Sequence, residues 1–247
     1  MVLSIVRLTD FSVLSFDCYG TLIDWESGIL AALQPLVARA DNQDLAAETI
    51  LETFARHEAS QESETPAMLY SELLERVHDG IAAEWGLTPL PEESSAFGAS
   101  VPLWPAFPDS AQALRYLKQH YWLVILSNVD RQSFVGSNTR LGVEFDFIFT
   151  AEDIGSYKPD LRNFQYLITQ LTQHGVAKSS ILHTAQSLFH DHVPANQVGL
   201  ASAWINRRSE RSGPGATPVT PARPHVDFEF ATMGAMAERH MLESKGE

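Results

Sequence analysis

The sequence predicts an α/β protein: a doubly wound (Rossmann-like) parallel sheet with a helical cap subdomain inserted into it. Three observations predict this. Short apolar runs at residues 12–16, 122–126, 147–150, 181–184 and 203–205 are brief, β-rich and followed by turn chemistry, as strands buried on both faces are. Helical patterns of ordinary length, at residues 110–119, 131–141, 161–174 and 190–198, alternate with the later runs. Such alternation specifies right-handed crossovers between parallel strands. Residues 25–100 break the alternation with consecutive amphipathic helices near 28–40, 44–60 and 66–85, with no strand between them.

In chain order, the first run leads straight into that helical insertion. Reactive groups in doubly wound sheets sit at the carboxyl ends of the strands, so an insertion at this point is expected to cover them. Residues 25–100 are therefore expected to form the cap, and residues 1–24 with 101–247 the core domain. The chain re-enters the core through Leu103-Trp104-Pro105-Ala106-Phe107-Pro108-Asp109, where the prolines stiffen a hinge. Residues 207–224 are rich in Arg, Ser, Gly and Pro without periodicity, and are expected to form a mobile surface loop.

Composition narrows the class. At ~150 residues per domain the 247 residues make one or two domains, enough to bury a core without disulfides or a structural metal. Apolar residues are 45% and charged residues 19%, a globular balance. With 31 acidic against 17 basic side chains the net charge is −14. That field repels phosphate backbones and anionic lipid, so neither nucleic acid nor a membrane surface is an expected partner. An anionic substrate would need a local cationic pocket. The single cysteine, Cys18, excludes an internal disulfide and a multi-thiolate zinc site and suits a reducing compartment. No apolar run approaches the ~20 residues of a membrane span, and Arg7 and Asp10 interrupt what would be the apolar part of an export signal. The expectation is a soluble, cytoplasmic protein; a homodimer is left open.

Polar side chains follow the apolar runs in a consistent order. The first run ends in Phe16-Asp17-Cys18-Tyr19-Gly20-Thr21, and a carboxylate there is well placed as a nucleophile. The second ends in Ser127-Asn128. Ser156-Tyr157-Lys158-Pro159-Asp160 precedes a helix, and Gln186-Ser187-Leu188-Phe189-His190-Asp191 follows the fourth run. Singly, Ser-Asn is as well read as a helix cap and Lys-Pro-Asp as a helix start; together, all at strand ends, they point to a catalytic constellation.

On these residues the chain resembles the haloacid dehalogenase superfamily of hydrolases over nearly its whole length. The first family motif matches Asp17 to Thr21, the second Ser127-Asn128, the third Lys158 and the fourth the segment from Gln186 to Asp191, while the insertion matches the family's cap. Most members are magnesium-dependent phosphatases with an aspartate two residues after the nucleophile; here Tyr19 stands there. Their Gly-Asp-Ser run is Ala185-Gln186-Ser187 here. Mg²⁺ wants hard anionic oxygens, and a carboxylate attacking a phosphoryl group needs a cation to offset repulsion. Both departures point away from phosphate esters and imply neither metal nor cofactor.

The branch with Asp-x-Tyr-Gly-Thr is the 2-haloacid dehalogenases. The resemblance implies attack of Asp17 on C2 of a small 2-substituted carboxylic acid, inversion there, and hydrolysis of the resulting aspartyl ester to a 2-hydroxy acid. It implies catalytic roles for Asp17, Lys158, Asp191 and Ser127, and substrate-side positions for Tyr19, Thr21, Asn128, Arg56, Trp25 and Gln186. In that branch a cap arginine contacts the halide, for which Arg56 is the candidate here, and a tyrosine stands six residues after the motif lysine, where this chain has Phe164. The same scaffold opens strained rings such as azetidine- or aziridine-2-carboxylate, whose ammonium Glu58 and Glu62 of the cap are available to receive. A magnesium-dependent small-molecule phosphatase and a catalytically idle interaction fold are the remaining alternatives.

Other candidates read as structural. His183, His190 and His192 surround Asp191, but neighbouring positions point in different directions, so no metal site is read; His190 or His192 is placed near the pocket rim. Cys18 reads as a core thiol because successive strand residues face opposite ways. Trp25, Trp104 and Phe107 lie at the cap hinges, where pocket lining and hinge packing are equal alternatives. Phe54 and Tyr70 read as cap core.

Overall fold

The computed structural model describes residues 6–40, 45–211 and 213–246. Strand β1 (Val13–Phe16) is followed by five helices, α1 (Trp25–Ala32), α2 (Gln34–Arg39), α3 (Ala47–Glu64), α4 (Tyr70–Glu84) and α5 (Pro91–Gly98). Then come α6 (Ser110–Leu117), β2 (Trp122–Ser127), α7 (Arg131–Leu141), β3 (Phe147–Thr150), α8 (Ala151–Ile154), α9 (Leu161–Gln173) and β4 (Ile181–Ala185). A π-helical turn (Leu188–His192) leads into α10 (Val193–Val198), followed by β5 (Ala201–Ile205), β6 (Phe228–Phe230) and α11 (Met233–Lys245). The start expected at residue 44 for the second cap helix lies outside the described residues, as does the opening of the N-terminal segment.

The sheet is parallel throughout, in the order β3-β2-β1-β4-β5-β6. Every residue of β1 and β4 is buried, which is why these strands read as unbroken apolar runs rather than alternating ones. Alternation nevertheless sorts their side chains. Leu14, Phe16, Leu123 and Ile125 join an apolar cluster that continues into helices α1 to α5, whereas Val13, Val124, Leu126 and Ile181 pack with Phe164 and Leu167 of α9. The strand order reverses about β1, so the crevice beyond its carboxyl end is the topological switch point where such sheets bind ligands.

Side-chain caps fix where the helices begin. Asp24 accepts from the Ser27 amide at the start of α1, Asp130 from Ser133 at α7 and Asp160 from Arg162 at α9. Lys158-Pro159-Asp160 is therefore a helix start as well as the source of a buried lysine. Ser127 and Asn128 are not the cap of α7, since Asp130 holds that position.

Within residues 207–224, expected to form a surface loop, residues 209–211 and 221–223 are exposed, but Arg207, Arg208 and residues 215–217 are held against the rest of the chain. The Arg207 guanidinium donates to the Thr21 carbonyl and to Asp109 and lies 4.1 Å from the Phe107 ring centroid. Arg208 pairs with Glu26 of α1 and Glu48 of α3, and Ala216 is fully buried. Arg207 and Arg208 are thus paired with Asp109 and with acids of α1 and α3, which ties their part of the segment down. Among the described residues no helix is long and apolar enough to cross a membrane.

Candidate active site

Asp17 continues β1 by one residue, its amide donating to the Thr184 carbonyl (3.1 Å), so its carboxylate emerges at the sheet's carboxyl edge. Both oxygens are held: Oδ2 accepts from the Thr21 hydroxyl (2.6 Å) and Oδ1 from the Lys158 ammonium (2.9 Å). The same ammonium donates to Asp191 Oδ1 (2.7 Å) and to the Leu126 carbonyl (3.1 Å), which uses its three protons. Asp191 Oδ1 also faces His183 Nε2 (2.9 Å), and His183 Nδ1 faces the Ser15 hydroxyl (2.9 Å). Because a carboxylate oxygen only accepts, the network assigns the His183 proton to Nε2 and the Ser15 proton to the Ser15–Nδ1 bond.

One buried cation thus serves two buried carboxylates, and they respond in opposite directions. Burial raises the Asp17 carboxyl above the ordinary carboxylate range; Lys158 pulls it back, and the nearby Asp191 charge adds to the rise. Burial acts on Asp191 in the same sense, but Lys158 and the His183 N–H outweigh it and hold Asp191 well below that range. For Lys158, burial opposes the charge, and the attraction of Asp17 and then Asp191 more than restores it. The result is a permanently charged lysine, a firmly ionised Asp191 and an Asp17 of raised basicity.

The cavity in front of Asp17 is small, about 30 Å³, room for roughly two waters. It is lined on the core side by Asp17, Tyr19, Ser127, Asn128, Lys158, Ser187, His190 and Asp191, and on the insertion side by Trp25, Glu58, Glu62 and Tyr70. Glu58 and Glu62 extend the buried stripe of α3 that begins with Leu51, Phe54 and Ala55. The Tyr70 hydroxyl donates to Glu58, and the Asn128 amide donates to Glu62 (2.9 Å). Burial pushes Glu58 up to about 8; burial and then the neighbouring Glu58 push Glu62 well above the ordinary range. Three polar atoms around this cavity, Ser127 Oγ, His190 Nε2 and Asp191 Oδ2, are buried without a hydrogen-bond partner among the described residues.

The raised Glu58 carries a pH signature. From about pH 4.5 to about pH 8 the unfolded chain releases a proton that the folded one keeps, so stability falls as pH rises through that window. Glu58→Gln keeps an acceptor for Tyr70 and removes the titration. The variant is expected to melt near the wild-type temperature at about pH 5 and several degrees above it at about pH 8. Thermal unfolding followed by circular dichroism at the two pH values checks this.

The structure gathers most of the residues expected at the site, with corrections. Thr21 is not among the cavity's lining residues: its hydroxyl accepts from the Gln186 amide (2.9 Å) and donates to Asp17, in keeping with a residue that fixes the loop after β1. Gln186 is also outside, its side chain accepting from Thr217 and its carbonyl from the Trp204 indole. Asn128 lines the cavity, but its amide group is spent on Glu62 and on the backbone of Lys158. The Tyr19 hydroxyl is bonded to Ser137 (2.8 Å) and its ring meets Trp104 edge-on. Trp25 both lines the cavity and packs edge-on against Phe54. Of the two histidines offered for the pocket rim, His190 lines the cavity, whereas His192 is in the core, bonded to Ser202 and the Ala185 carbonyl. Tyr70, read as cap core, has its hydroxyl on the site.

Arg56 is the clearest correction. It makes a two-pronged pair with Glu84 (2.8 and 2.9 Å) and its side chain is 60% exposed, on a separate groove beside residues 214–219. Two positions along a helix is about 200° of rotation, so Arg56 faces away from the side that Glu58 and Glu62 present. Arg56→Ala is expected to leave kcat/KM within about twofold of wild type, as an exposed ion pair contributes little. Steady-state kinetics with any turned-over substrate checks it.

Among the described residues no group of three or more His, Cys, Asp or Glu side chains is placed to hold a metal ion. The Lys158 ammonium is paired with both Asp17 and Asp191, and Tyr19 offers no carboxylate. Two carboxylates with no third acidic donor are a sparse set for Mg²⁺, which takes near-octahedral oxygen ligands.

A family model for haloacid dehalogenase-like hydrolases matches residues 11–183. Among solved structures, the defluorinating L-2-haloacid dehalogenase Rha0230 aligns with a TM-score of 0.75 at 19% identity, over 96% of this chain and 99% of that one. The L-2-haloacid dehalogenase from Xanthobacter autotrophicus, solved with chloropropionic acid covalently bound, aligns with a TM-score of 0.74 at 18% identity, over 92% and 97%. A protein described as a HAD-hydrolase, YfnB from Bacillus subtilis bound to magnesium, gives 0.72 at 17% identity, over 96% and 100%. No curated protein matches the chain. At these identities the structural likeness establishes a shared fold.

Proposed function

The chain belongs to the haloacid dehalogenase-like hydrolases, and on that premise we propose that it hydrolyses a small 2-substituted carboxylic acid at C2 through an ester on Asp17, without a metal ion. The observation that carries this reading is the clamp on Asp17. Thr21 and Lys158 hold its two oxygens at a strand end facing a small cavity, and Lys158 is bonded to both Asp17 and Asp191. One Asp17 oxygen bonds to C2, the displaced group leaves with its electron pair, and C2 inverts. Water then adds to the Asp17 carbonyl carbon, and the C2–oxygen fragment departs as a 2-hydroxy acid. Lys158 balances charge on Asp17 throughout, and the free Ser127 hydroxyl is available to the substrate's carboxylate.

The cap side of the cavity favours a protonated ring nitrogen over halide as the displaced group. Glu58 and Glu62 face it, and no arginine is among its lining residues. A ring ammonium would let these two carboxyl groups ionise and pair with it. The nitrogen, already protonated, leaves as a neutral amine tethered to the product.

A substrate panel tests both levels: azetidine-2-carboxylate, 2-chloropropionate, fluoroacetate and p-nitrophenyl phosphate, each with Mg²⁺ and with EDTA. Ring opening of azetidine-2-carboxylate, unaffected by EDTA, is expected. Chloride release from 2-chloropropionate with no ring opening would keep the ester and overturn the nitrogen leaving group. Phosphate release dependent on Mg²⁺, with no reaction at C2, would overturn the whole reading.

A further inference from the structure

The π-helical turn after β4 brings successive side chains, His190 and Asp191, into the same cavity. Such turns are rare and concentrate at functional sites. His190 is 8% exposed, and Ser187 fixes it from two directions: the Ser187 hydroxyl accepts from the His190 backbone amide (2.9 Å) and lies 3.2 Å from ring Nδ1. Nε2 is buried, unpartnered and 3.8 Å from Glu62 Oε2.

Opening the Asp17 ester requires a group that takes a proton from water, and the groups facing His190 can be weighed in turn. Lys158 is charged and has no lone pair. Asp191, held by Lys158 and His183, is a poor base. Glu58 and Glu62 of α3 keep their protons when buried unpaired, and Asp17 is itself the ester. Burial, against the weaker pull of Asp191, holds the His190 imidazole at about 4, so it is neutral at ordinary pH. It alone among the lining groups offers a neutral nitrogen lone pair.

We propose that His190 is the general base for hydrolysis of the Asp17 ester, with Nδ1–H donated to the Ser187 hydroxyl and Nε2 accepting the proton of the attacking water. The assignment rests on the ester reading above. The water oxygen bonds to the Asp17 carbonyl carbon as its proton passes to Nε2. The bond from that carbon to the C2 oxygen then breaks, and the imidazolium returns the proton to that oxygen. Collapse leaves Asp17 as a carboxylic acid, whose remaining proton passes to the displaced amine or to solvent to restore the carboxylate, and His190 as a neutral ring. Negative charge developing on the tetrahedral centre favours the transient imidazolium.

His190→Asn keeps a donor near the Nδ1 position and deletes Nε2. With azetidine-2-carboxylate or 2-chloropropionate, whichever the wild type turns over, rapid-quench mass spectrometry of the Asp17 peptide reads the ester. The variant is expected to form ester within about threefold of the wild-type rate, accumulate it, and lose roughly 10²–10⁴-fold in steady-state turnover. Ester that disappears at the wild-type rate would overturn the role. If wild type and variant both consume substrate without passing through an ester, the reading of the reaction fails first, a result distinct from an ester that needs no His190. A second measurement requires neither substrate nor variant. Nitrogen-15 NMR of the free wild-type protein at neutral pH should find His190 Nε2 without a proton and Nδ1 with one; a proton on Nε2 overturns the assignment.

Discussion

Asp17→Asn will abolish turnover and leave the fold intact. The amide lacks the anionic oxygen that bonds to carbon, and loss of a covalent nucleophile costs on the order of 10⁴-fold or more in kcat. Its effect on stability is small for a stated reason. Lys158 now serves two carboxylates, and removing the Asp17 charge leaves it paired one to one with Asp191, still bonded to the Leu126 carbonyl. The largest influence on Asp17 is burial of its charge, which the substitution relieves. Turnover measured beside a thermal melt separates the two consequences. Substantial activity in the variant, or a melt collapsed by many degrees, would each contradict the role given to this carboxylate.

Lys158→Met will be damaging on both counts. Methionine fills much of the lysine stem's volume but leaves Asp17 and Asp191 buried at 6% and 0% exposure without their cation. Breaking a buried pair by removing one partner destabilises by about 3–5 kcal/mol, and here two acids are orphaned. The loss has a definite pH sense. Without Lys158 the Asp17 carboxyl rises further, so the folded variant holds a proton that the unfolded chain releases, and stability falls as pH rises through that interval. Urea unfolding at about pH 5 and about pH 8 is expected to show the larger deficit at the higher pH. Adding Asp17→Asn should recover part of it, since that removes one of the two unpaired charges. Equal deficits at both pH values would mean that packing, not charge, is what Lys158 supplies.

Much of this site was legible in the sequence because of where parallel strands end. Asp17, Ser127 and Asp191 each follow a buried apolar run, and Lys158 precedes a helix whose cap, Asp160, is visible as well. Strand ends converge on one edge of a parallel sheet, so the polar residues after the runs had to meet. Cap residues obey a looser rule. Whether Arg56 or Glu58 faces the core depends on helix rotation, and two positions separate opposite sides of α3. The decisive signal was the buried stripe of Leu51, Phe54 and Ala55, which continues through Glu58 and Glu62: acids on an apolar face need a partner there.

Other misses have similar causes. Gln186 sits within the matched motif, but its backbone does the work while its side chain turns to Thr217. Tyr70 starts α4 as an apolar residue should, and only its hydroxyl, aimed at Glu58, belongs to the site. Strand β6 is three residues long, too short for a period to declare itself. Helix α11 does carry a stripe, Met233, Met236, Ala237 and His240, behind a Thr232 cap, a pattern as readable as those recognised earlier in the chain.

The most direct measurement is turnover in ¹⁸O-labelled water followed by mass spectrometry of the peptide containing Asp17, with EDTA present. A carbon ester on Asp17 predicts that product from the first turnover carries the unlabelled carboxylate oxygen while the label enters Asp17, where it builds up over repeated turnovers. Product labelled directly from solvent in that first turnover, with Asp17 unlabelled, would contradict it.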